Sequence, residues 1–554
     1  MVLGAAMRTG NLQKVIRTGG HQASSDATSS REYELKLIGT SRDIGAIKTR
    51  IDRFLNDASG WRSQALETVY FDTFNRDLAT ANAVLRVRKA GRTYIQCVKI
   101  ATGSGSILNR REWEVPVPSA APDFALLPPE AVKALADATS TPINPMFATR
   151  FRRRYRLIER PTSQGEVAQI EVAIDKGTVE AGALKVPIHE VEFELKRGEP
   201  QDLFDLVLAV TDGTSLRPSS ISKAARGHLL LEGTSVAQAA FARKTQLKAG
   251  RTVTDTLAEV FQSGLATLAA NEAAATLGDD PEGVHQMRVA VRRMRSALSV
   301  FEPFFDSDCF AWAKTDLKWL LNTLRQARDW DVFITEIVSP VQGVGIDAAG
   351  QALVLEASRQ QRDAGYLRAS ELIASTGYAQ VVMRLTAFSE THGWLTPSSA
   401  KPGSRLMQPI DSVASGLLTK THKKVLKAGR GFETLSVKER HTLRIQIKKL
   451  RYTADIFRNL YDTPKKTETV RTYRQFMKRL QDRFGHMNDV AGAENLASDL
   501  RASAKIADAD RESFRAAISA VLGWHARGLH DAEDDLIRDW HDFRQLKPFW
   551  SSKG

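Results

Sequence analysis

The hydrophobic pattern of this 554-residue chain changes period once, and that change limits what it can fold into. From about residue 31 to 196, apolar residues alternate with polar ones, the period-two signature of half-buried strands. After Ser222 the period becomes helical and stays so to the end. A chain this long exceeds one ordinary core. The pattern therefore predicts an α+β multidomain protein, with a strand-rich domain at about 31–235 and an all-α domain at about 245–545. A stretch holding Pro397, Pro402, Gly403 and Pro409 divides the helical part into two similar bundles, at about 245–395 and 410–545. Residues 1–30 are basic and then rich in Ser, Thr and Gly, and read as a disordered leader.

Eight strands are expected near 31–38, 66–72, 84–89, 93–101, 108–116, 149–157, 168–176 and 186–196, with helices at 41–56, 128–138 and 200–211. Charges recur at one parity on strand after strand. Glu32, Glu34 and Lys36 oppose Tyr33, Leu35 and Leu37. Arg86 and Arg88 oppose Leu85 and Val87, and Lys99 follows. Glu112 and Glu114 oppose Trp113 and Val115. Arg150, Arg152 and Arg154 come next, then Glu171 and Asp175 opposite Val172 and Ile174. Glu190, Glu192 and Glu194 interleave with Val191, Phe193 and Leu195. One such strand is ordinarily a solvated face. Repetition over seven of the eight strands points instead to a closed sheet with a charged lumen and apolar outer faces under helices. Lys and Arg grip phosphate oxygens by charge-assisted hydrogen bonds. Clustered carboxylates beside a phosphate need a divalent cation between them, which implies Mg2+ or Mn2+.

The formal charge of +14, from 78 Lys and Arg against 64 Asp and Glu, permits a polyanionic partner without choosing one. Cys97 and Cys309 fall in different expected domains and show no metal spacing, which suits a reducing, cytoplasmic setting. No apolar run approaches the ~20 residues of a membrane span.

The opening Glu32-Tyr33-Glu34-Leu35-Lys36 resembles the ExExK signature of the CYTH, or triphosphate tunnel metalloenzyme, superfamily. The segments LRVRK, CVK, REWEV, TRFRRR and HEVEFELK follow in the family's order, and Ser222-Lys223 with Arg226-Gly227 resembles its closing segment. The resemblance implies an eight-stranded antiparallel tunnel barrel that hydrolyses triphosphates or, in one branch, cyclises ATP. It assigns Glu32 and Glu34 to the metal site and Lys36 to the signature lysine, these three being the expected catalytic set. Arg86, Arg88, Lys99, Arg150 and Arg152 match the triphosphate-binding set, which Arg154 and Lys223 extend. Glu190, Glu192 and Glu194 match the last-strand acidic set, which Glu112, Glu114 and Asp175 extend as metal ligands. The family commonly has Lys where this chain has Arg150.

The helical half repeats itself. His285, Arg288, Arg292, Arg293 and Arg295, ending in Phe301, recur as His441, Arg444, Lys448, Lys449 and Arg451, ending in Phe457. At about 100° per residue, His285, Arg288, Arg292 and Arg295 share an arc of about 80°, opposite Met287, Val291, Met294 and Leu298. The second copy repeats this, with Leu443, Ile447 and Leu450 opposite its stripe. A solvated basic face is the ordinary reading. Two copies without acidic i,i+4 partners repel along their length and point to a bound anion. Asp329, Asp331 and Asp489, which follow the stripes, are expected to orient nearby groups. The repeat resembles the CHAD domain, which implies two helical bundles around a basic groove and polyphosphate as ligand.

These readings converge on a phosphoanhydride hydrolase, an inorganic triphosphatase acting on triphosphate and longer polyphosphate, with a polyphosphate-binding module and a location at polyphosphate granules. Thiamine-triphosphatase or adenylate cyclase chemistry, and a non-catalytic polyphosphate scaffold, stay open. Nucleic acid fits less well, because the stripes lack interleaved aromatics for base stacking.

Overall fold

A computed structural model describes residues 30–101, 109–138, 141–162, 165–219, 221–233, 239–241, 247, 249–305, 309–341, 347–396, 401 and 403–551. The leader lies outside these residues. Glu32 has a backbone position, but its side chain falls outside the description. The chain forms two compact units. One comprises residues 1–238 with 374–391, the other 239–373 with 392–554.

In the first unit, β1 (Ser30–Ile38), β2 (Arg62–Asp72), β3 (Ala83–Ala90), β4 (Thr93–Ala101), β5 (Asn109–Val117), β6 (Asn144–Pro161), β7 (Val167–Ala181) and β8 (Leu184–Arg197) form one antiparallel sheet. Its order is β5-β4-β3-β2-β6-β7-β8-β1, and β1 also pairs with β5, so the sheet closes. A short β9 (Arg217–Pro218) adds to β1 at Leu37 and Ile38, making nine strands where eight were expected.

Helices cover the apolar outside of this barrel. α1 (Ser41–Leu55) begins at Thr40, whose Oγ1 accepts from the Asp43 N–H at 3.1 Å. After α2 (Asp77–Thr80) and α3 (Pro129–Ala138) comes α4 (Pro200–Thr211), opened by a reciprocal cap between Glu199 and Asp202. Leu35, Leu37, Val172, Val191 and Phe193 from the strands bury against Ile44, Ile47 and Ile51 of α1 and Leu203, Phe204 and Val207 of α4. On the other flank, Leu85, Val98 and Trp113 bury against Ala131 and Leu135 of α3. α5 (Lys223–Glu232), capped by Ser222, lies against interior residues instead: Ala224 joins a core with Tyr70, Phe147, Phe151 and Ile188.

The second unit starts with α6 (Val253–Leu277), α7 (Pro281–Phe301), α8 (Ala311–Thr323) and α9 (Arg325–Val332), which continues into a π-helical turn at Phe333–Val338. α10 (Ala348–Ala374) follows. The next helix, α11 (Thr376–Glu390), packs in the first unit: Met383 and Ala387 join the core with Leu203 and Phe193, and Gln380 donates to the Thr211 carbonyl at 3.0 Å. The expected helical half of 245–395 is thus corrected at its end, where long-range apolar packing overrides chain order. α12 (Ile410–Ala428), α13 (Val437–Tyr461), α14 (Thr467–Ser503), α15 (Arg511–Asp531) and α16 (Glu533–Gln545) complete the second unit. The repeated phenylalanines meet: the rings of Phe301 and Phe457 stand edge to face, 6.1 Å apart. Among the described residues, no helix is long and apolar enough to cross a membrane.

Candidate active site and basic helix faces

Inside the barrel lies a tunnel of about 400 Å3, lined by charged side chains from β1, β3, β4, β5, β6, β7 and β8 and from the start of α5. Strand alternation puts these charges inside because the neighbouring apolar residues are buried beneath the outer helices. Glu34, Lys36, Arg86, Arg88, Lys99, Glu112, Glu114, Glu192, Glu194 and Lys223 all line it.

Two charge clusters organise the tunnel. In the first, Asp175, Glu190 and Glu192 bring carboxylate oxygens within 4.8 Å of one another. Lys223 Nζ, projecting from the first turn of α5, stands 2.7 Å from Asp175 Oδ2 and 2.9 Å from Glu192 Oε1, and also pairs with Glu190. Lys36 Nζ lies 3.2 Å from Glu192 and 3.4 Å from Glu190. Arg153 holds Asp175 through two bonds of 2.8 and 2.9 Å and also reaches Glu192. Arg226 pairs with Glu190. Burial pushes the Glu192 carboxyl up, but Lys223, Arg153 and Lys36 hold it well below the usual carboxylate range. Burial also pushes Lys36 down, more than Glu192 pushes it up.

In the second cluster, Lys99 Nζ lies 2.8 Å and Arg86 Nη2 3.2 Å from the Glu112 carboxylate, and Glu114 is 3.7 Å from Arg86. Cys97 Sγ donates to Glu112 at 2.9 Å, and burial pushes this thiol up to about 12. The crowded Arg88 is pushed down, first by Arg86 and then by burial.

Glu34, Glu194 and Glu171 occupy one cross-strand row over β1, β8 and β7. Like charges directly opposite one another are destabilising. The donors of the row and of the first cluster are hard carboxylate oxygens, the kind Mg2+ or Mn2+ takes, whereas the second cluster adds the Cys97 sulfur to Glu112 and Glu114. Of these, Asp175, Glu190 and Glu192 bring only carboxylates together and fit a divalent cation best, and the Glu112–Glu114–Cys97 group could also hold one.

In the second unit, the basic stripes of α7 and α13 lie side by side. Burial pushes Lys448 down to about 7, helped by Arg444 of its own helix and by Arg292 of α7. Burial and Arg292 push Arg288 down to about 10, and burial with Arg328 pushes His285 down to about 4. The residues opposite the stripes, Met287, Val291 and Met294 with Leu443, Ile447 and Leu450, are buried. His441 is exposed where its counterpart His285 is half-buried. Asp331 accepts from Arg362 and Tyr366, each at 2.8 Å, and Asp329 accepts from Arg325 at 2.8 Å.

The CYTH domain family model matches residues 30–228, and the CHAD domain family model matches residues 259–498. The chain carries a CYTH domain and a CHAD domain. The chain is 35% identical, over 167 residues, to an inorganic triphosphatase from Haemophilus influenzae; the match covers 30% of this chain and 46% of that protein. The chain thus spans about half the length of the curated relative it matches. The CHAD domain from the plant Ricinus communis is 25% identical, with a TM-score of 0.47, covering 56% of this chain and 98% of that one. PptA from Streptomyces chartreusis is 14% identical, with a TM-score of 0.39, covering 52% of this chain and 100% of the other.

The CYTH barrel corrects one strand of the sequence reading. Arg150, Arg152 and Arg154 point away from the tunnel, and Phe151 and Arg153 point into it. Arg152 and Arg154 are exposed, and Arg150 pairs outside with Glu67 and Glu180. The cause is the tunnel's apolar end, where Phe147 stacks on Tyr70 and meets α5, so aromatic residues of β6 face inward. The sequence reading gives no site role to Arg153 or Cys97, and names Arg226 only as part of the closing segment. The register of Phe147, Thr149 and Phe151 could have found Arg153. In the CHAD domain, Arg293 leaves the stripe and joins Asp455 and Tyr452.

Proposed function

We propose that the CYTH domain hydrolyses inorganic triphosphate with a divalent cation, Mg2+ or Mn2+, and that the CHAD domain binds polyphosphate along its two basic stripes. The observation that carries the reading is one tunnel in which guanidinium and ammonium groups alternate with carboxylates on adjacent strands. A purely anionic ligand would need only the basic set, and a neutral one neither.

Arg86, Arg88, Lys99, Lys36 and Arg153 grip the phosphate oxygens and hold the triphosphate in register. To do so they exchange part of their pairing with Glu112, Asp175 and Glu192 for the ligand. When bound among the carboxylates, the cation supplies charge neutralisation and a more acidic water. A carboxylate of the Glu34–Glu194–Glu171 row takes the proton of the attacking water. The basic set stabilises charge as it builds on the leaving phosphate. Glu32, next to Glu34 in the signature, completes the catalytic set on this reading. The relative named inorganic triphosphatase supports the substrate class.

The CHAD stripes support the second half of the reading. Burial first, and then the like charges of Arg444 and Arg292, bring Lys448 to about 7, a cost that a bound polyanion offsets. The test is a substrate panel on the purified chain, reading phosphate release from tripolyphosphate, ATP and thiamine triphosphate. Preference for tripolyphosphate is expected. Preference for an organic triphosphate would move the reading to that substrate.

A further inference from the structure

A cleft of about 90 Å3 opens in the second unit between α6, α7, α13 and α14. Its charged walls are Arg293 of α7, Asp455 and Arg458 of α13, and Arg474 of α14. We propose that this cleft binds a single phosphate group, either free orthophosphate or the end of a chain, at a place distinct from the two stripes.

The placement follows from helical geometry. On α7, Ala290 and Arg293 line the cleft, and at about 100° per residue they lie roughly 180° and roughly 120° from the centre of the stripe formed by His285, Arg288, Arg292 and Arg295. On α13 the cleft sits beyond Arg451, toward the helix end away from His441. Neighbouring arginines 292 and 293 therefore serve different surfaces.

The chemistry follows from the charge balance. Three guanidiniums face one carboxylate, which leaves the cleft net positive. Asp455 is already engaged: Arg474 donates to its Oδ1 through Nε at 3.2 Å and Nη2 at 3.1 Å, and its charge also acts on Arg293. Asp455 thereby fixes the forks of the cleft and leaves further N–H groups for a ligand. Arg458 commits its Nε to Asn459 at 3.1 Å. A cation is repelled here. The volume is several times the ~10–15 Å3 that one water needs, which suits a small tetrahedral oxyanion and is too little for a nucleotide. Forked donors match phosphate oxygens in both geometry and charge.

The test uses crystals of the full chain soaked in tungstate, a heavy tetrahedral oxyanion, together with calorimetric titration of orthophosphate in solution. An anomalous peak is expected in the cleft, within hydrogen-bonding reach of Arg293, Arg458 and Arg474. It should persist in Arg288→Glu/Lys448→Glu, a change that disables the stripes and removes long-chain binding. Arg293→Gln/Arg458→Gln should lose the peak and weaken orthophosphate binding roughly tenfold or more. Peaks confined to the tunnel or the stripes, or unchanged orthophosphate binding in the glutamine variant, would overturn the proposal. Because the wild-type map stands by itself, a glutamine variant that fails to fold does not remove the test. Long-chain binding that survives Arg288→Glu/Lys448→Glu contradicts the stripe reading and leaves the cleft to be decided by its own peak.

Discussion

Arg153 donates to Asp175 and Glu192 inside the tunnel, whereas Arg152, one residue away, is exposed on the outer face of the barrel. Arg153→Ala is therefore expected to lower kcat/KM for tripolyphosphate by roughly tenfold or more, and Arg152→Ala to leave it within about twofold. Steady-state kinetics of the two variants decide which parity of β6 serves the ligand. Glu34→Gln keeps side-chain size but removes one charge from the Glu34–Glu194–Glu171 row, and should abolish turnover with the fold intact by circular dichroism. At the stripes, Lys448 titrates at about 7 in the folded protein against about 10.5 unfolded. Between these values the unfolded chain binds more protons, so on this account stability rises with pH across that window. A polyanion needs the charged form, so polyphosphate affinity should fall as pH rises from about 6 to about 8; a flat profile would remove Lys448 from the site. At this scale the sequence was legible where one face of a strand was plainly apolar, as around Leu35, Val191 and Phe193. It was not legible on β6, where arginines occupy both parities, nor at Cys97, whose lumen position depends on barrel closure.

The helix α5 carries both an electrostatic and a steric task. Its Lys223 enters the Asp175–Glu190–Glu192 cluster, and its Gly227 meets the ring of Phe147 so closely that an added methyl would overlap it. Gly227→Ala should therefore destabilise the barrel by about 1–3 kcal/mol through overpacking, despite the better helix propensity of Ala. Thermal melting of the full chain reads this directly, and an unchanged or raised midpoint would mean that α5 is not lodged against the barrel interior. The helical repeat was legible as an element because both copies keep the same offset between basic and apolar faces. The destination of α11 was not. Nothing in Thr376–Glu390 distinguishes an ordinary bundle helix from one whose Met383 and Ala387 bury beside Leu203 and Phe193.

For the whole molecule, hydrolysis and chain binding are assigned to different units, so they should separate by mutation. Arg288→Glu, Arg292→Glu, Arg444→Glu and Lys448→Glu together should abolish polyphosphate binding and leave tripolyphosphate turnover near the wild-type rate. In the wild type that binding should weaken steeply with salt, because a multiply contacted polyanion releases counterions when it binds. The central claim is that the tunnel's carboxylates serve a cation that works beside the basic set. The most direct measurement is phosphate release from tripolyphosphate by the full chain, with Mg2+ or Mn2+ and then with excess EDTA. Release that requires the divalent ion, stops on chelation and returns when the metal is restored is the predicted result; turnover indifferent to EDTA would contradict the account.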